Sequence, residues 1–151
     1  MEDRKKKTVV LAKGTFDLLH YGHIYYLTKA KETGGVSAEL KVVVARDKTV
    51  ERLKGVKPII HENQRMAIVS SLRVVDDVFL GYESIDMKRV IDTIKPSIIA
   101  VGYDQEDLEM KLLKYVEESK YAIKIIRVGK FQAEKLSSSE IKRRIIENYD
   151  K

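Results

Sequence analysis

The sequence predicts an α/β fold built on a doubly wound, mostly parallel five-stranded sheet, and three observations lead there. Short runs rich in Val and Ile recur along the chain, amphipathic stretches of helical period separate them, and Pro58 and Pro96 fall in the joints. The runs at 8–12, 40–45, 74–80, 97–101 and 123–128 are apolar at most positions rather than at every second one. Strands buried on both faces read this way, and such strands belong to parallel sheets covered by helices.

The helical stretches follow from spacing. Met66, Val69 and Leu72 share one face of a segment starting near Glu62. Met87, Val90, Ile91 and Ile94 share a face in the next, and Leu108, Leu112, Leu113 and Val116 in a third. A last segment, 139–149, places Ile141, Ile145 and Tyr149 four apart, and Ser137 with Glu140 stands before it at capping-box spacing. Repeated strand–helix alternation gives three layers, with helices on both faces of one sheet. In open sheets of this kind ligands bind beyond the carboxyl ends of the strands. Two loops there carry most of the interest: 46–58, with Arg46, Lys48, Arg52, Lys54 and Lys57 around Gly55, and 129–139, with Lys130 and Lys135 before three serines.

Composition narrows the class. With 151 residues, 44% hydrophobic and 34% charged, the chain is expected to fold as one domain over 1–151, residues 1–7 forming a basic tail. There is no cysteine, so disulfides and thiolate zinc sites are excluded. No run approaches the ~20 apolar residues of a membrane span, and the start lacks the apolar segment of a signal peptide, so a cytoplasmic protein is expected. Lys and Arg number 29 against 23 Asp and Glu, a net charge of +6. That balance suits nucleic acid, polyanionic small molecules, or solubility alone.

The informative segment follows the first strand: Gly14-Thr15-Phe16-Asp17-Leu18-Leu19-His20-Tyr21-Gly22-His23, then helical Ile24, Leu27 and Ala30. Gly14 at a strand end would let backbone approach a ligand closely, and the helix start supplies free N–H groups and a positive dipole end. His20 and His23 flank Gly22, and both would face an anion held there, donating hydrogen bonds to phosphoryl oxygens. Two histidines three apart could also hold zinc with Asp17 or Asp104, but the one other histidine is His61, and no resident metal is expected. Neither a Walker A loop nor a Gly-x-Gly-x-x-Gly fingerprint is present.

Gly14-Thr15-Phe16-Asp17 with His20-x-Gly22-His23 resembles the signature of the nucleotidylyltransferase superfamily. Leu136-Ser137-Ser138-Ser139-Glu140-Ile141-Lys142 resembles its second motif, Ile-Ser-Ser-Thr-x-Ile-Arg. The likeness extends through Lys54-Gly55-Val56-Lys57-Pro58 and Glu62-Asn63-Gln64-Arg65, as in cytidylyltransferase-like members. It implies a Rossmann-like domain in which His20 and His23 contact the nucleotide phosphates and Ser137, Ser138 and Ser139 bind the β- and γ-phosphates. It further implies that Gly14, Thr15, Phe16, Asp17, Tyr21, Gly22, Asp104 and Phe131 border the nucleotide. Lys54 would be catalytic, Lys57 and Arg65 would neutralise phosphate charge, and Mg²⁺ would accompany the triphosphate.

Within the superfamily the chain most resembles archaeal-type FAD synthases, which adenylate FMN with ATP. Val44 to Val50, Leu53-Lys54-Gly55 and Val101-Gly102-Tyr103-Asp104-Gln105 carry that likeness. Glycerol-3-phosphate cytidylyltransferases, which use CTP, usually read Gly-His-Asp-Trp at the later segment and Arg-Thr before the serines. This chain has no Trp, and Gln132-Ala133 stands at the second place. It also lacks the cysteine pair common near the end of archaeal FAD synthases. The resemblance thus implies ATP and FMN as substrates, no nucleic acid or membrane partner, and a homodimer, the common assembly of relatives. Glycerol-3-phosphate or sugar-phosphate nucleotidyl transfer and a basic RNA-binding module are the alternatives. The last would need exposed aromatics on a sheet face.

Overall fold

The computed structural model describes residues 6–83, 86–131 and 137–150. Five strands form one sheet: β1 (Val9–Gly14), β2 (Glu39–Val44), β3 (Asp77–Leu80), β4 (Ile98–Val101) and β5 (Lys124–Arg127), in the order β3-β2-β1-β4-β5. Every neighbouring pair is parallel. Six helices connect and follow them: α1 (Tyr21–Glu32), α2 (Asp47–Lys54), α3 (Glu62–Ser70), α4 (Met87–Ile94), α5 (Glu106–Ser119) and α6 (Ser138–Tyr149).

Strand order explains the apolar runs. β1 and β4 sit inside the sheet with helices over both faces, and Val10, Leu11, Ala12 and all four residues of β4 are buried. Leu27 and Ala30 of α1 with Val69 of α3 seal one face, and Val90, Ile91 and Ile94 of α4 with Leu112 of α5 seal the other. Both faces of the sheet are thus covered by helices among the described residues. β3 and β5 lie at the edges, are only partly buried, and are shorter than their apolar runs. Val74 and Val75 belong instead to the turn after α3, where the Val75 amide donates to the Leu72 carbonyl at 3.1 Å.

One segment departs from expectation. The loop at 46–58 contains α2, eight residues long, which buries Thr49 and Val50 and ends on Gly55 at φ 80. A left-handed glycine after the last turn is a standard helix stop, but α2 shows a single pair of inward residues, too few to register as a period. On the terminal helix the expected apolar stripe exists yet is not buried: Ile145 is about half exposed and Tyr149 more so. Leu113 of α5 likewise faces out.

The order changes direction between β1 and β4, which sends α1 to one face and α5 to the other. A crevice opens at such a switch point, beyond the carboxyl ends of the two strands. Register fixes its floor, with Ala12 level with Ala100 and Gly14 with Val44.

Candidate active site

The connection from β1 to α1 is strained and tightly filled. Phe16 and Leu18 have φ of 56 and 46, a conformation that costs side-chain-bearing residues about 1–2 kcal/mol each. The Phe16 ring is buried and folds back on Gly14, where a Cβ would lie 2.9 Å from two ring carbons. The missing Cβ of Gly14 thus makes room for the Phe16 ring. The opposite side of the ring meets His23 edge-on at 5.5 Å, so Phe16 backs that imidazole.

His20 is the N-cap of α1, its Nδ1 accepting from the Gly22 amide at 3.1 Å, and His23 Nδ1 accepts from the His20 amide at 3.2 Å. The two histidines thus form a reciprocal capping box, a job usually given to Ser and Glu. A backbone N–H can only donate, so each Nδ1 presents a lone pair and each neutral ring carries its proton on Nε2. The rings lie 3.9 Å apart between centroids. Burial lowers the pKa of His20. Burial, with the charge of His20 added and only partly offset by Asp17, brings His23 down to about 4. Near neutral pH the site therefore presents two uncharged Nε2–H donors.

From the other end of the chain, α6 arrives at the same place. Ser137 caps it, Oγ accepting from the Glu140 amide at 3.1 Å as the spacing predicts. The Ser138 hydroxyl donates to the main-chain carbonyl of Asp17, and Lys142 Nζ stands 3.1 Å from the Asp17 carboxylate. The Ser138 hydroxyl proton is thus used in building the site, while Ser137 Oγ accepts from the cap amide and keeps its own proton to donate. The amides of the first turn, with the exposed Ser139, are what α6 offers to an anion.

Asp17 is the knot of this arrangement. Its carboxylate is almost fully buried and accepts from the amides of Ile59 and Ile60 at 2.8 and 2.9 Å, so the segment after α2 is fastened to the same loop. Burial pushes the carboxyl up, but the two amides and the Lys142 ammonium outweigh it and hold the group below the usual carboxylate range. Sequence reading placed Asp17 on the nucleotide; its oxygens are instead occupied by protein.

Arg65 also requires correction. Expected to neutralise phosphate, it is fully buried, donating to the carbonyls of Ile60 (2.8 Å) and Thr15 (2.6 Å) and to Asp47 (2.6 Å). Enclosed, with each of its three nitrogens donating once, it holds the Thr15 backbone and reaches no solvent. Asp47 and Glu62 complete the frame by exchange: Glu62 accepts from the Asp47 amide and Asp47 from the Glu62 amide. No group of three or more His, Asp and Glu suited to a metal occurs among the described residues.

Lys54 and Lys57 are exposed at the end of α2 and just beyond, with no ion-pair partner among the described residues. Tyr21 and Phe131 meet edge to face at 4.9 Å, and Tyr25 adds a third ring. Phe131 thus packs on α1 at the rim of the crevice. Asp104 is exposed in the turn after β4, where the Gly102 amide donates to Gln105. Lys135, Leu136 and Gln132-Ala133, like residues 1–5 of the basic tail, lie outside the described residues.

Sequence reading missed Lys13. It occupies the β1 position before Gly14, on the face away from α1, beside a cavity of about 20 Å³ lined in part by Arg46, Thr49 and Tyr82. Its ammonium lies 3.9 Å from the sulfur of Met87, and burial lowers its pKa. A lysine closing an otherwise apolar strand is the one signal that could have flagged it.

A parallel sheet with a reversal at β1/β4, and two helix N-termini meeting beside a pair of Nε2–H donors, defines a protein that handles phosphate esters. The cytidylyltransferase-like family model matches residues 11–144, and the chain belongs to that family. It is 45% identical over 138 residues to a protein named FAD synthase from Thermoplasma volcanium, covering 91% of this chain and 94% of that one. A FAD synthase from Methanothermus fervidus is 43% identical over 129 residues, 85% of this chain and 88% of the relative. Among solved structures, one described as a lipopolysaccharide core biosynthesis protein from Thermoplasma volcanium superposes with a TM-score of 0.76. It is 43% identical, and the match covers 84% of this chain and 100% of that one.

Proposed function

We infer that this protein is an FMN adenylyltransferase, transferring the adenylyl group of ATP to the phosphate of FMN and releasing pyrophosphate. The observation that carries the reading is convergence: Ser138 and Lys142 of α6 hold Asp17, three residues before His20, so two motifs over 110 residues apart in sequence meet at one place. FAD synthases similar over most of the chain supply the acceptor.

The chemistry asks little covalent work of the protein. An oxygen of the FMN phosphate forms a bond to the α-phosphorus of ATP in line with the bond that breaks, the one to the oxygen bridging to the β-phosphorus, and pyrophosphate departs with that electron pair. The acceptor phosphate is ionised at neutral pH, so no general base is required, and the rate gain comes from alignment and from donors fixed in advance. His20 and His23 suit this task because their Nδ1 atoms are pinned by backbone amides and each Nε2–H is left to a phosphoryl oxygen. The amides opening α6, with Ser139, suit the β- and γ-phosphates, and Lys54 and Lys57 suit the transferred and acceptor phosphates. Asp104, exposed after β4, and Tyr21 with Phe131, packed together at α1, suit the border of the nucleoside. Mg²⁺ enters with ATP as part of the substrate, since magnesium keeps most of its waters and binds through phosphates. A protein with this activity belongs in the cytoplasm, where ATP is supplied.

Pyrophosphate release measured from ATP and from CTP, each against FMN and against glycerol 3-phosphate, tests the reading. Release with the ATP and FMN pair, matched by FAD on chromatography, is the expected result. Release with CTP and glycerol 3-phosphate instead would replace it.

A further inference from the structure

The segment that Asp17 clasps has a property phosphate chemistry leaves unexplained. Leu53, Val56 and Ile59 follow one another at intervals of three, and each is about two-thirds exposed. Scattered surface aliphatics are ordinary, but these three fall within seven residues, and Lys54 and Lys57 stand between them. Those lysines have no ion-pair partner among the described residues, whereas Lys29, Lys48 and Lys88 each stand near a carboxylate. The surface is thus apolar and cationic at once, with no carboxylate paired to its lysines among the described residues.

Its attachment sets it at the reacting centre. Gly55 turns the chain at φ 80 with open space around it, and Pro58 restricts the return. At the far end the Ile59 and Ile60 amides are held by the Asp17 carboxylate, three residues before His20. A ligand lying on Ile59 is therefore a neighbour of the loop that carries the histidines.

We propose that Leu53, Val56 and Ile59 are the seat for the flat aromatic body of the acceptor, with Lys54 and Lys57 taking its phosphate. This rests on FMN being the acceptor, and it assigns the half of that molecule which anion-binding groups cannot recognise. A tricyclic ring laid across three aliphatic side chains removes apolar surface on both sides from water, which is worth at least a factor of ten in affinity. A ringless acceptor such as glycerol 3-phosphate would gain nothing from it, so the same surface sets specificity.

The test is a triple variant, Leu53→Gln with Val56→Thr and Ile59→Thr, whose exposed positions leave the fold intact, as thermal unfolding will verify. Riboflavin, the ring without the phosphate, is titrated by quenching of its fluorescence, and FAD formation is followed with FMN and ATP. The seat requires that riboflavin affinity fall, and KM for FMN rise, at least tenfold, while KM for ATP stays within twofold. In Lys54→Met with Lys57→Met, KM for FMN should rise and riboflavin affinity hold. Unchanged riboflavin affinity in the triple variant overturns the proposal. A smaller sedimenting species with unchanged KM for FMN also overturns it, making the patch an interface between copies. Failure of the unaltered protein to form FAD would strike the acceptor reading instead, and riboflavin quenching, which needs no turnover, separates the two.

Discussion

Replacing Asp17 by Asn keeps shape and removes charge, which makes it the sharpest probe of how the site is held. The carboxylate accepts from two amides, at 2.8 and 2.9 Å, and faces Lys142 at 3.1 Å, with almost no exposure to water. An asparagine has one acceptor oxygen, so one amide keeps a weaker bond while the other meets an NH₂ group that cannot accept. A hydrogen bond to a charged group contributes about 1.5–3 kcal/mol, and a buried donor left without a partner costs about 1–3. Loss of the partly exposed ion pair adds under about 1 kcal/mol. The sum expected is roughly 3 kcal/mol, and at about 2–4 °C per kcal/mol for a chain of this size Tm should fall by about 6–12 °C. Calorimetry on Asp17→Asn beside Lys142→Met, which removes only the ion pair, gives the comparison. A fall of less than about 2 °C for Asp17→Asn, or an equal fall for both variants, would refute the argument.

His20→Ala and His23→Ala should each lower kcat by about 10²- to 10³-fold, read by pyrophosphate release; near-normal turnover in folded protein would remove the histidines from the chemistry. The folded pKa of His23, about 4, lies below the ordinary 6.5. The unfolded chain therefore gains a proton first, and stability is expected to fall as pH drops from about 6.5 to 4, by up to roughly 3 kcal/mol. Urea midpoints should show that slope in the unaltered protein and show it reduced in His23→Asn, the remainder belonging to His20, whose pKa burial also lowers, and below about pH 5 to depressed carboxyls such as Asp17 and Glu140. Gly14→Ala forces the buried Phe16 ring aside and should cost about 1–3 kcal/mol by the same midpoints. Lys13→Met, which replaces a part-buried ammonium facing a thioether, should raise stability by about 1 kcal/mol; a loss would mean that the charge is used in place.

Legibility divided along contact range. β1, β2 and β4 announced themselves because burial on both faces leaves long apolar runs, and α6 was found by its own cap at Ser137. The histidines were legible because their partners are two and three residues away. What escaped depends on residues far off in the chain. Arg65 looks like any basic residue at a helix start until Thr15, 50 positions earlier, is seen to take its guanidinium. Asp17 reads as part of a phosphate motif until Ile59, Ile60 and Lys142 are seen to claim it. α2 escaped for a different reason: with one inward pair, its pattern could not outweigh the glycine and charges around it.

The attachment of α6 carries a thermodynamic corollary. No side chain of that helix is fully buried, and its ties to the body include Ser138 and Lys142 on Asp17. A segment so lightly packed belongs to the low-stability end of a native ensemble. Any triphosphate that docks on its opening amides adds its binding free energy to that segment's own. Amide exchange at 138–142 should slow on nucleotide addition while β1 and β4 barely respond, so that completing the final helix becomes part of recognising substrate.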